Sequence, residues 1–262
     1  MTEKAFGIGL DVGSTTTKGV VINRDGAILA SHLQGTGASA ASAVAQVLGS
    51  LFTASGKTRD ECRIIGTGYG RNIVDMAHKT VTEITCHSVG VNTLNPDIRL
   101  LIDVGGQDSK VIRIGFNGRP EDFELNDKCS AGTGRFLEVM ARVLEVSMDE
   151  LGPLALESKS PCTISSTCTV FAESEVIGRI GSGDSPADIA AGIHQSMASK
   201  IGSLSKRVGV VTPIGVTGGV ALNPAFRHYL SEILKTELWM PEIPQLTGAL
   251  GAAIIALKDA ET

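Results

Sequence analysis

A nine-residue pattern occurs twice in the chain, and this internal repeat limits the possible folds more than any other feature. Residues 10–18 read L-D-V-G-S-T-T-T-K and residues 102–110 read I-D-V-G-G-Q-D-S-K, with matching positions 92 residues apart. In each copy an apolar run precedes a polar glycine turn and a β-branched run follows it, which is typical of a strand–turn–strand hairpin. A helical pattern follows each hairpin. The repeat therefore predicts a duplicated α/β protein with a cleft between two similar halves.

The rest of the chain divides into short strands and longer helices when it is examined for apolar periodicity. We expect an N-terminal domain over residues 1–96 and a C-terminal domain over residues 97–262, with a final helix at 248–262 that can pack back on the first domain. The predicted strands are residues 6–12, 18–23, 63–67, 98–104, 110–115 and 213–217. The predicted helices are residues 38–54, 130–146, 168–180, 185–208, 222–235 and 250–258.

Composition and charge exclude several classes of protein. With 23 basic and 28 acidic residues the net charge is −5, and no long basic run is present, so a nucleic-acid partner is not indicated. The longest apolar stretch, residues 249–257, is too short to cross a bilayer, and Asp11 interrupts any N-terminal signal-peptide pattern. The five cysteines form no C-x-x-C pair, and an odd count in a chain without a signal-peptide pattern indicates reduced thiols. We therefore expect a cytoplasmic protein that binds neither nucleic acid nor membrane.

The two repeated turns have the composition of phosphate-binding loops. Glycine lets backbone N–H groups approach a phosphate, hydroxyl side chains add hydrogen-bond donors, and a lysine adds positive charge. The pattern is not a Walker P-loop, because the chain contains no G-x-x-x-x-G-K sequence. The candidate phosphate-binding residues of these turns are Gly13, Ser14, Thr15, Thr16 and Lys18 in the first copy and Gly105 and Gly106 in the second.

Each turn also follows a carboxylate at the end of a predicted strand. Asp11 and Asp103 are the candidate ligands of Mg²⁺ or of its waters, because hard cations take carboxylate oxygens. One of the polar side chains Asp103, Gln107 and Asp108 is expected to orient the attacking water. Asp11 joins these three in the predicted catalytic set.

Two further segments have the composition of nucleoside-binding elements. Residues 216–223 read V-T-G-G-V-A-L-N between a predicted strand and a predicted helix. Gly218 and Gly219 would permit a close approach of the nucleotide, and Asn223 would lie near phosphate or ribose. The segment Q-L-T-G-A-L-G-A-A, which begins at Gln245, would flank the adenine.

Together with the two turns, these segments resemble the phosphate-1, phosphate-2 and adenosine motifs of the superfamily that contains actin, sugar kinases and heat-shock-chaperone ATPases. The motifs follow the order of that superfamily and cover most of the chain. The resemblance implies two ribonuclease-H-like domains, the actin-like ATPase fold, that close on ATP and Mg²⁺.

Two cysteines each lie between polar turn residues and a helical pattern. Cys129 is in N-D-K-C-S-A-G-T-G-R-F, and Cys168 is in I-S-S-T-C-T-V-F-A-E-S-E-V. A helix N-terminus favours anions, and thiolates indicate a metal. One chain has two such cysteines, whereas a four-iron cluster usually needs four thiolates, which a twofold dimer would supply on its axis. A zinc site with four thiolates shared across a dimer has the same ligand count and stays open.

These two stretches, with I-G-T-G-Y-G-R-N at residues 65–72, closely resemble the 2-hydroxyacyl-CoA dehydratase activators. Members of that family are iron–sulfur ATPases, also called archerases, and are related to the ATPase subunits of benzoyl-CoA reductase. The resemblance implies that Cys129 and Cys168 bind one 4Fe-4S cluster per homodimer. The residues outside the motifs, which we expect to be structural, are Cys62, Cys86, Cys162 and His87.

The same resemblance implies a function in anaerobic metabolism. An oxygen-sensitive activator of this kind uses hydrolysis of ATP to ADP to drive one electron from ferredoxin or flavodoxin to a partner iron–sulfur enzyme. The partner would be a 2-hydroxyacyl-CoA dehydratase or a related double-cubane-cluster protein.

Two other functions on the same scaffold stay open. A small-molecule kinase would need a catalytic base beside an acceptor pocket, and Asp103 or Asp108 could serve as that base. A non-redox ATPase could instead scaffold or remodel partner proteins. Bound iron would separate the activator from both alternatives.

Overall fold

The duplication in the sequence corresponds to two five-stranded sheets with the same strand order. The computed structural model describes residues 5–165 and 168–259. Two compact units are built around the two sheets. The first unit contains the described residues of Met1–Ile98, Ile114–Glu121 and Gln245–Thr262, and the second contains those of Arg99–Arg113 and Asp122–Pro244.

The first sheet contains three antiparallel strands, and two further strands run parallel to the first of them. Its strands are β1 Phe6–Val12, β2 Thr16–Ile22, β3 Ile28–Gly35, β4 Cys62–Thr67 and β5 Lys79–Thr80. The order across the sheet is β3-β2-β1-β4-β5. Strand β2 is antiparallel to both β1 and β3, whereas β4 is parallel to both β1 and β5. Strand β1 is therefore central and has the hairpin on one side and parallel strands on the other.

The second sheet repeats this arrangement. Its strands are β6 Leu100–Val104, β7 Ser109–Ile114, β8 Pro120–Asn126, β9 Ile214–Thr217 and β10 Leu238–Trp239. The order is β10-β9-β6-β7-β8, with β6 antiparallel to β7 and parallel to β9. In the two hairpins Asp11 pairs with Lys18 and Asp103 pairs with Lys110. The predicted α/β fold with two similar halves is confirmed.

Helices cover these sheets. In the described ranges the α-helices are α1 Ala40–Ser55, α2 Glu83–Leu94, α3 Gly134–Val143, α4 Met148–Leu156, α5 Thr169–Gly181, α6 Pro186–Val208, α7 Pro224–Leu234 and α8 Thr247–Lys258. Side-chain caps fix several helix starts: Ser39 accepts the N–H of Ser42 at α1, and Ser147 and Glu150 form a reciprocal capping box at α4. None of these helices is long and apolar enough to cross a bilayer.

Strand β1 is buried on both faces, which explains its nearly continuous apolar sequence. On one face Ile8 and Leu10 pack into a core shared with α1. On the other face Gly7 and Gly9 lie against α8, and a Cβ on Gly9 would come within 1.9 Å of the Ala249 carbonyl oxygen. The absence of side chains at these two glycines lets the backbones of β1 and α8 touch.

Helix α8 also packs against α2 with its backbone. A Cβ on Gly251 would lie 1.7 Å from the carbonyl oxygen of Cys86, and a Cβ on Gly90 would lie 2.0 Å from that of Thr247. A larger residue at either glycine would therefore push the two helices apart. These contacts fix the start of α8 close to β1 and α2.

The core of the second unit is centred on α3 and α6. Phe136, Leu137 and Met140 of α3 are fully buried, as their helical spacing predicts. They pack in one cluster with Ile193 of α6 and Val216 of β9. The sheet and its helices are thus held by a single continuous apolar core.

The predicted elements are present with ends that differ by no more than three residues, with one exception. The helix predicted over residues 130–146 begins only at Gly134. The four preceding residues form a turn, because Thr133 donates both its N–H and its hydroxyl to the Ser130 carbonyl oxygen. The expectation that Cys129 directly precedes a helix is therefore wrong.

We expect Gly251→Ala to lower the free energy of unfolding, because the added methyl group would overlap the Cys86 carbonyl oxygen. Overpacking of this kind typically costs about 1–3 kcal/mol. Gly49→Ala on α1 is the matched control, since its methyl group meets no atom within 4 Å and should stabilise the helix by about 0.5–1 kcal/mol. Denaturant unfolding followed by circular dichroism measures both changes. Equal destabilisation of the two variants would contradict the backbone contact between α8 and α2.

Candidate functional site

At the end of β1, Asp11 is held by a lysine from the neighbouring strand. Lys18 Nζ lies 3.2 Å from Asp11 Oδ2, and the two side chains are 14% and 6% exposed. The turn between them is closed by the N–H of Gly13, which donates to the Thr16 carbonyl oxygen at 3.0 Å. These four predicted site residues therefore lie together in the first unit.

The second turn has the same frame with an additional carboxylate. Lys110 Nζ lies 3.4 Å from Asp103 Oδ2 and 2.8 Å from Asp108 Oδ2. The Thr217 hydroxyl donates to Asp103 Oδ1 at 2.8 Å. The N–H of Gly105 donates to the Asp108 carbonyl oxygen at 2.9 Å. Asp103 is thus fixed on both oxygens, by a lysine and by a threonine.

In both halves a threonine ends the parallel strand that lies beside the central strand. These strands are β4 beside β1 and β9 beside β6. The strand register places Thr67 opposite Asp11 and Thr217 opposite Asp103. The sequence analysis did not identify these threonines as site residues. The signal in the sequence was a Thr-Gly dipeptide, whose threonine is the last residue of both β4 and β9.

The glycine of each Thr-Gly dipeptide is required by its backbone and by its neighbours. Gly68 and Gly218 have φ values of 87° and 86°, in the region that favours glycine. A Cβ on Gly68 would lie 2.5 Å from Asp11 Oδ1, and a Cβ on Gly218 would lie 2.2 Å from the Val104 carbonyl oxygen. Each glycine therefore lets the chain pass close to the end of the central strand.

The remaining predicted binding residues of the turns and of the nucleoside-binding segments are exposed or half-buried. Their partial exposure leaves backbone and side-chain groups accessible to a ligand. The exposed ones are Ser14, Thr15, Gln107 and Gly219, and the half-buried ones are Gly106, Gly218, Asn223 and Gln245.

Asn223 forms the start of α7. Its side-chain oxygen accepts the N–H of Phe226 at 3.0 Å. The buried His194 of α6 lies nearby, with Nδ1 2.7 Å from the Ala190 carbonyl oxygen. Burial lowers the pKa of His194 to about 4, although Ala190 and Asn223 oppose that shift. The imidazole is therefore neutral at pH 7 and adds no buried charge beside the helix start.

A histidine from α2 also approaches Asp11. His87 is only 5% exposed, and its Nδ1 lies 3.0 Å from Thr247 Oγ1. A Cβ on Gly248 would lie 3.0 Å from both Asp11 Oδ2 and His87 Nε2. Those two atoms therefore flank one gap and are no more than 6.0 Å apart. No local sequence pattern indicated this approach, because it depends on the packing of α2 and α8 against β1.

The second turn is fixed by the start of α3. The N–H of Gly134 donates to the Gly105 carbonyl oxygen at 2.9 Å. The N–H of Arg135 donates to the Gly106 carbonyl oxygen at 2.8 Å. The first N–H groups of a helix have no partner within the helix. Here they bind the turn, so that α3 and the turn form one hydrogen-bonded structure.

The segment between β8 and α3 contains Cys129 and is held at several points. The Asn126 side chain donates to the carbonyl oxygens of Cys129 at 2.9 Å and of Ala131 at 3.0 Å. The Ser109 hydroxyl donates to the Gly132 carbonyl oxygen. The segment that carries the half-buried Cys129 is therefore connected directly to β7 and to the second turn.

Cys168 forms the start of α5, as the sequence predicts. Its carbonyl oxygen accepts the N–H of Ala172 at 3.0 Å. The residues that follow the two candidate cysteines are in contact, since the hydroxyl oxygens of Ser130 and Thr169 are 2.7 Å apart. Cys129 and Cys168 thus lie on adjoining segments of the second unit.

The loop that leads into α5 is tied to α6 and to α5 itself. Asp188 Oδ1 accepts the Ser158 hydroxyl at 2.6 Å, and Glu175 Oε2 accepts the N–H of Ser165 at 2.8 Å. Both carboxylates therefore serve to hold the loop. Residues 166–167 of the predicted motif lie outside the described residues.

The five cysteines differ in their suitability as metal ligands. In residues 5–165 and 168–259, no group of three or more His, Cys, Asp or Glu side chains could hold a metal ion. Cys129 and Cys168 are half-buried and offer two thiols per chain. Burial raises the pKa of Cys86 to about 12 and raises the pKa of Cys162, and Cys62 is fully buried. These three cysteines are therefore poor sources of thiolate.

Helix α5 exposes apolar side chains next to Cys168. Val170 is 65% exposed, Phe171 69% and Ile177 56%. Contiguous exposed apolar surface of this kind commonly marks an interaction site. The apolar face begins two residues after the candidate metal ligand.

Comparison with known proteins identifies the family and the fold. Residues 8–256 match the BadF/BadG/BcrA/BcrD ATPase family. The chain is 43% identical over 256 residues to the (R)-2-hydroxyglutaryl-CoA dehydratase activating ATPase of Acidaminococcus fermentans, with 97% of this chain and 98% of that protein covered.

Solved structures agree with this assignment. The activator of the 2-hydroxyisocaproyl-CoA dehydratase from Clostridium difficile, solved with bound ADPNP, is 45% identical and has a TM-score of 0.91 over 98% of this chain and 96% of that chain. A ROK family glucokinase from Streptomyces griseus is 14% identical, with a TM-score of 0.60 over 97% of this chain and 99% of that chain, and shows the shared fold alone.

These similarities confirm the predicted fold class of two ribonuclease-H-like, actin-like ATPase domains. They also confirm the resemblance to the dehydratase activators. The match extends over nearly the whole chain and includes both repeated turns and both candidate cysteines. The chain belongs to the BadF/BadG/BcrA/BcrD ATPase family.

Proposed function

We propose that this protein is the ATP-dependent activator of a 2-hydroxyacyl-CoA dehydratase or of a related double-cubane-cluster enzyme. It takes one electron from ferredoxin or flavodoxin and, with hydrolysis of ATP to ADP, delivers that electron to its partner in the cytoplasm. The identity of 43% to a dehydratase activating ATPase over nearly the full length supports this proposal. The structural observation that carries it is the contact between Ser130 and Thr169, beside the two candidate ligands.

In this proposal the two repeated turns bind the phosphate groups of ATP. Their backbone N–H groups and hydroxyls donate to phosphate oxygens, and Lys18 and Lys110 supply positive charge. Asp11 and Asp103 hold Mg²⁺ through its waters, and the ion would neutralise charge on the transferring phosphoryl group. The residues that would contact the nucleoside are Gly218, Gly219, Asn223 and Gln245.

The attacking water requires a polar group that it can reach. The Asp108 side chain is 33% exposed, whereas that of Asp103 is 5% exposed and is bonded to Thr217 and Lys110. Asp108 and the exposed Gln107 are therefore better placed than Asp103 to orient a water. Asp103 is better suited to hold the ion.

Cys129 and Cys168 from each of two chains would together supply four thiolates to one 4Fe-4S cluster. When bound, the cluster would accept and release one electron at low potential. The Ser130–Thr169 hydroxyl contact keeps the two cysteine segments of one chain side by side. The half-burial of both cysteines leaves them accessible to a second chain.

Hydrogen bonds connect the second phosphate turn to the cysteine segments within one unit. The first two N–H groups of α3 bind the carbonyl oxygens of the turn, and Asn126 holds the carbonyl oxygen of Cys129. A displacement of the turn on ATP binding or hydrolysis would move the start of α3 and the Cys129 segment. The Ser130–Thr169 contact would carry that movement to α5. In this proposal the route would carry the coupling, which requires contacts that differ between the two nucleotide states.

The exposed apolar face of α5 is the proposed contact between the two chains of a homodimer. It begins beside Cys168, and a shared cluster needs the thiolates of both chains at the same place. Val170, Phe171 and Ile177 would be removed from water in such a dimer.

We expect Asp11→Asn to lower kcat for ATP hydrolysis by about 10–100-fold, because a neutral amide holds the waters of Mg²⁺ poorly. Asp25→Asn, in the exposed turn between β2 and β3, is the matched control and should retain wild-type activity. Steady-state ATPase assays over a range of Mg²⁺ concentrations measure the effect. An Asp11→Asn variant with wild-type kcat would contradict the proposed role of the carboxylate.

We expect Cys129→Ala and Cys168→Ala each to abolish binding of the cluster, because each removes two of the four ligands from a dimer. Cys162→Ala, a change in the same part of the chain, should retain about four iron atoms per dimer. Iron and sulfide analysis after anaerobic reconstitution, with electron paramagnetic resonance of the reduced protein, distinguishes these outcomes. Zinc in place of iron in the wild-type protein would refute the redox function, and phosphorylation of a small molecule without iron would favour a kinase.

We expect Phe171→Asp to weaken the dimer by about tenfold or more, because a charged side chain replaces a buried aromatic contact. Phe116→Asp is the control, since Phe116 is 89% exposed in the turn between β7 and β8 and is not part of the α5 face. Analytical ultracentrifugation of the reconstituted proteins measures both dissociation constants. Dimers of equal strength would exclude the α5 face as the interface.

A further inference from the structure

Three elements of the first unit meet at a gap over Gly248, the second residue of α8. A Cβ at this position would lie 3.0 Å from Asp11 Oδ2 on β1 and 3.0 Å from His87 Nε2 on α2. The absence of a side chain at Gly248 lets the carboxylate and the imidazole approach each other. The two polar groups can therefore interact directly or through one water.

The imidazole of His87 is held in its orientation by its surroundings. Its Nδ1 lies 3.0 Å from Thr247 Oγ1, and the residue is only 5% exposed. The backbone contacts at Gly90 and Gly251 fix α2 and α8 against each other, which prevents the ring from moving away from α8. With Nδ1 bound to Thr247, it is Nε2 that faces Asp11.

The two oxygens of Asp11 have different surroundings. Lys18 Nζ contacts Oδ2, and His87 Nε2 lies across the gap from that same oxygen. Oδ1 lies beside Gly68, and a Cβ at that position would come within 2.5 Å of this oxygen. Two groups can thus fix Oδ2 and leave Oδ1 to act on a ligand.

We propose that His87 is a positioning residue for the Asp11 carboxylate. In this proposal the Thr247 hydroxyl donates to Nδ1, and Nε2 carries a proton that it donates toward Asp11 Oδ2. His87 and Lys18 together would fix the carboxylate plane and leave Oδ1 to hold the waters of Mg²⁺. This role rests on the proposed function of Asp11 in ATP hydrolysis.

Two substitutions at the same position separate this role from a purely structural one. His87→Gln can place an amide N–H near the position of Nε2, whereas His87→Asn can reach only Thr247. We expect His87→Asn to lower kcat for ATP hydrolysis by about 10–100-fold and to raise the Mg²⁺ concentration needed for half-maximal activity. His87→Gln should stay within a few-fold of wild type in both quantities. If His87→Asn is the more active of the two, the contact with Thr247 is what matters and the proposal is overturned.

Ser88→Ala is the matched control, because Ser88 is the neighbouring fully buried residue on α2. It should retain wild-type kcat and Mg²⁺ dependence. A loss in Ser88→Ala as large as that in His87→Asn would assign the effect to disturbance of α2 and would overturn the proposal. A wild-type protein without Mg²⁺-dependent ATP hydrolysis would instead contradict the proposed function itself.

A second measurement needs neither nucleotide nor Mg²⁺. Long-range ¹H–¹⁵N correlation spectra of the full chain labelled at histidine report which ring nitrogen carries the proton, and the His87→Gln spectrum assigns the signal. We expect the Nε2–H tautomer and a shift of the Nε2 signal in Asp11→Asn. An Nδ1–H tautomer, or an Nε2 signal that is insensitive to Asp11→Asn, would overturn the proposal even if the protein hydrolyses ATP.

Discussion

Each half of the structure depends on an ion pair between a buried carboxylate at the end of its central strand and a lysine of the neighbouring strand. The side chains of Asp11 and Asp103 are 6% and 5% exposed, and a carboxylate in such a place must be paired and hydrogen-bonded. The partner is the lysine that the hairpin register places directly opposite. Removal of one member of a buried ion pair typically costs about 3–5 kcal/mol. The register of each hairpin is therefore fixed by electrostatics as well as by strand pairing.

The two halves surround this shared frame with different supports. In the first half the Thr36 hydroxyl donates to the Gly13 carbonyl oxygen at 2.7 Å, and α2 and α8 bring a histidine to Asp11. In the second half the backbone N–H of Gly134 binds the Gly105 carbonyl oxygen at 2.9 Å. A helix thus replaces a single side chain as the support of the turn. Within the part of the chain that the structure describes, hydrogen bonds connect the second turn to the segments of the two candidate cysteines.

The sequence predicted the parts of the fold that depend on local pairing. The aspartate and lysine of each turn are seven residues apart, and the hairpin between them determines their contact. The elements that it missed take their conformation from neighbours. Strand β8 is mostly exposed and acidic and lies at a sheet edge beside β7, and α2 combines threonine, glycine and buried His87 without a clear apolar stripe. Such segments are ordered by tertiary contacts that no local period contains.

The candidate site divides in the same way. The turns and the two cysteines could be selected from composition and from a family resemblance, whereas the approach of Thr67, Thr217 and His87 to the carboxylates could not be predicted. These three side chains come from elements far along the chain, and only the parallel strand pairing and the helix packing bring them to the carboxylates. The start predicted for the helix after Cys129 was wrong for a related reason. The Thr133 N–H donates to the Ser130 carbonyl oxygen and the Asn126 side chain donates to that of Cys129, so that the segment forms a turn.

The distinction between the cysteines also depends on surroundings rather than on spacing. Cys162 is only six residues from Cys168. Its N–H donates to the Asp188 carbonyl oxygen at 2.9 Å, and its own carbonyl oxygen packs against Gly192 of α6. That segment is fixed on the core, and burial raises the pKa of its thiol. Cys168 instead begins a helix with an exposed apolar face and lies beside the segment of Cys129. Of this pair only Cys168 adjoins the segment of Cys129, and this is why Cys168 rather than Cys162 is the proposed ligand.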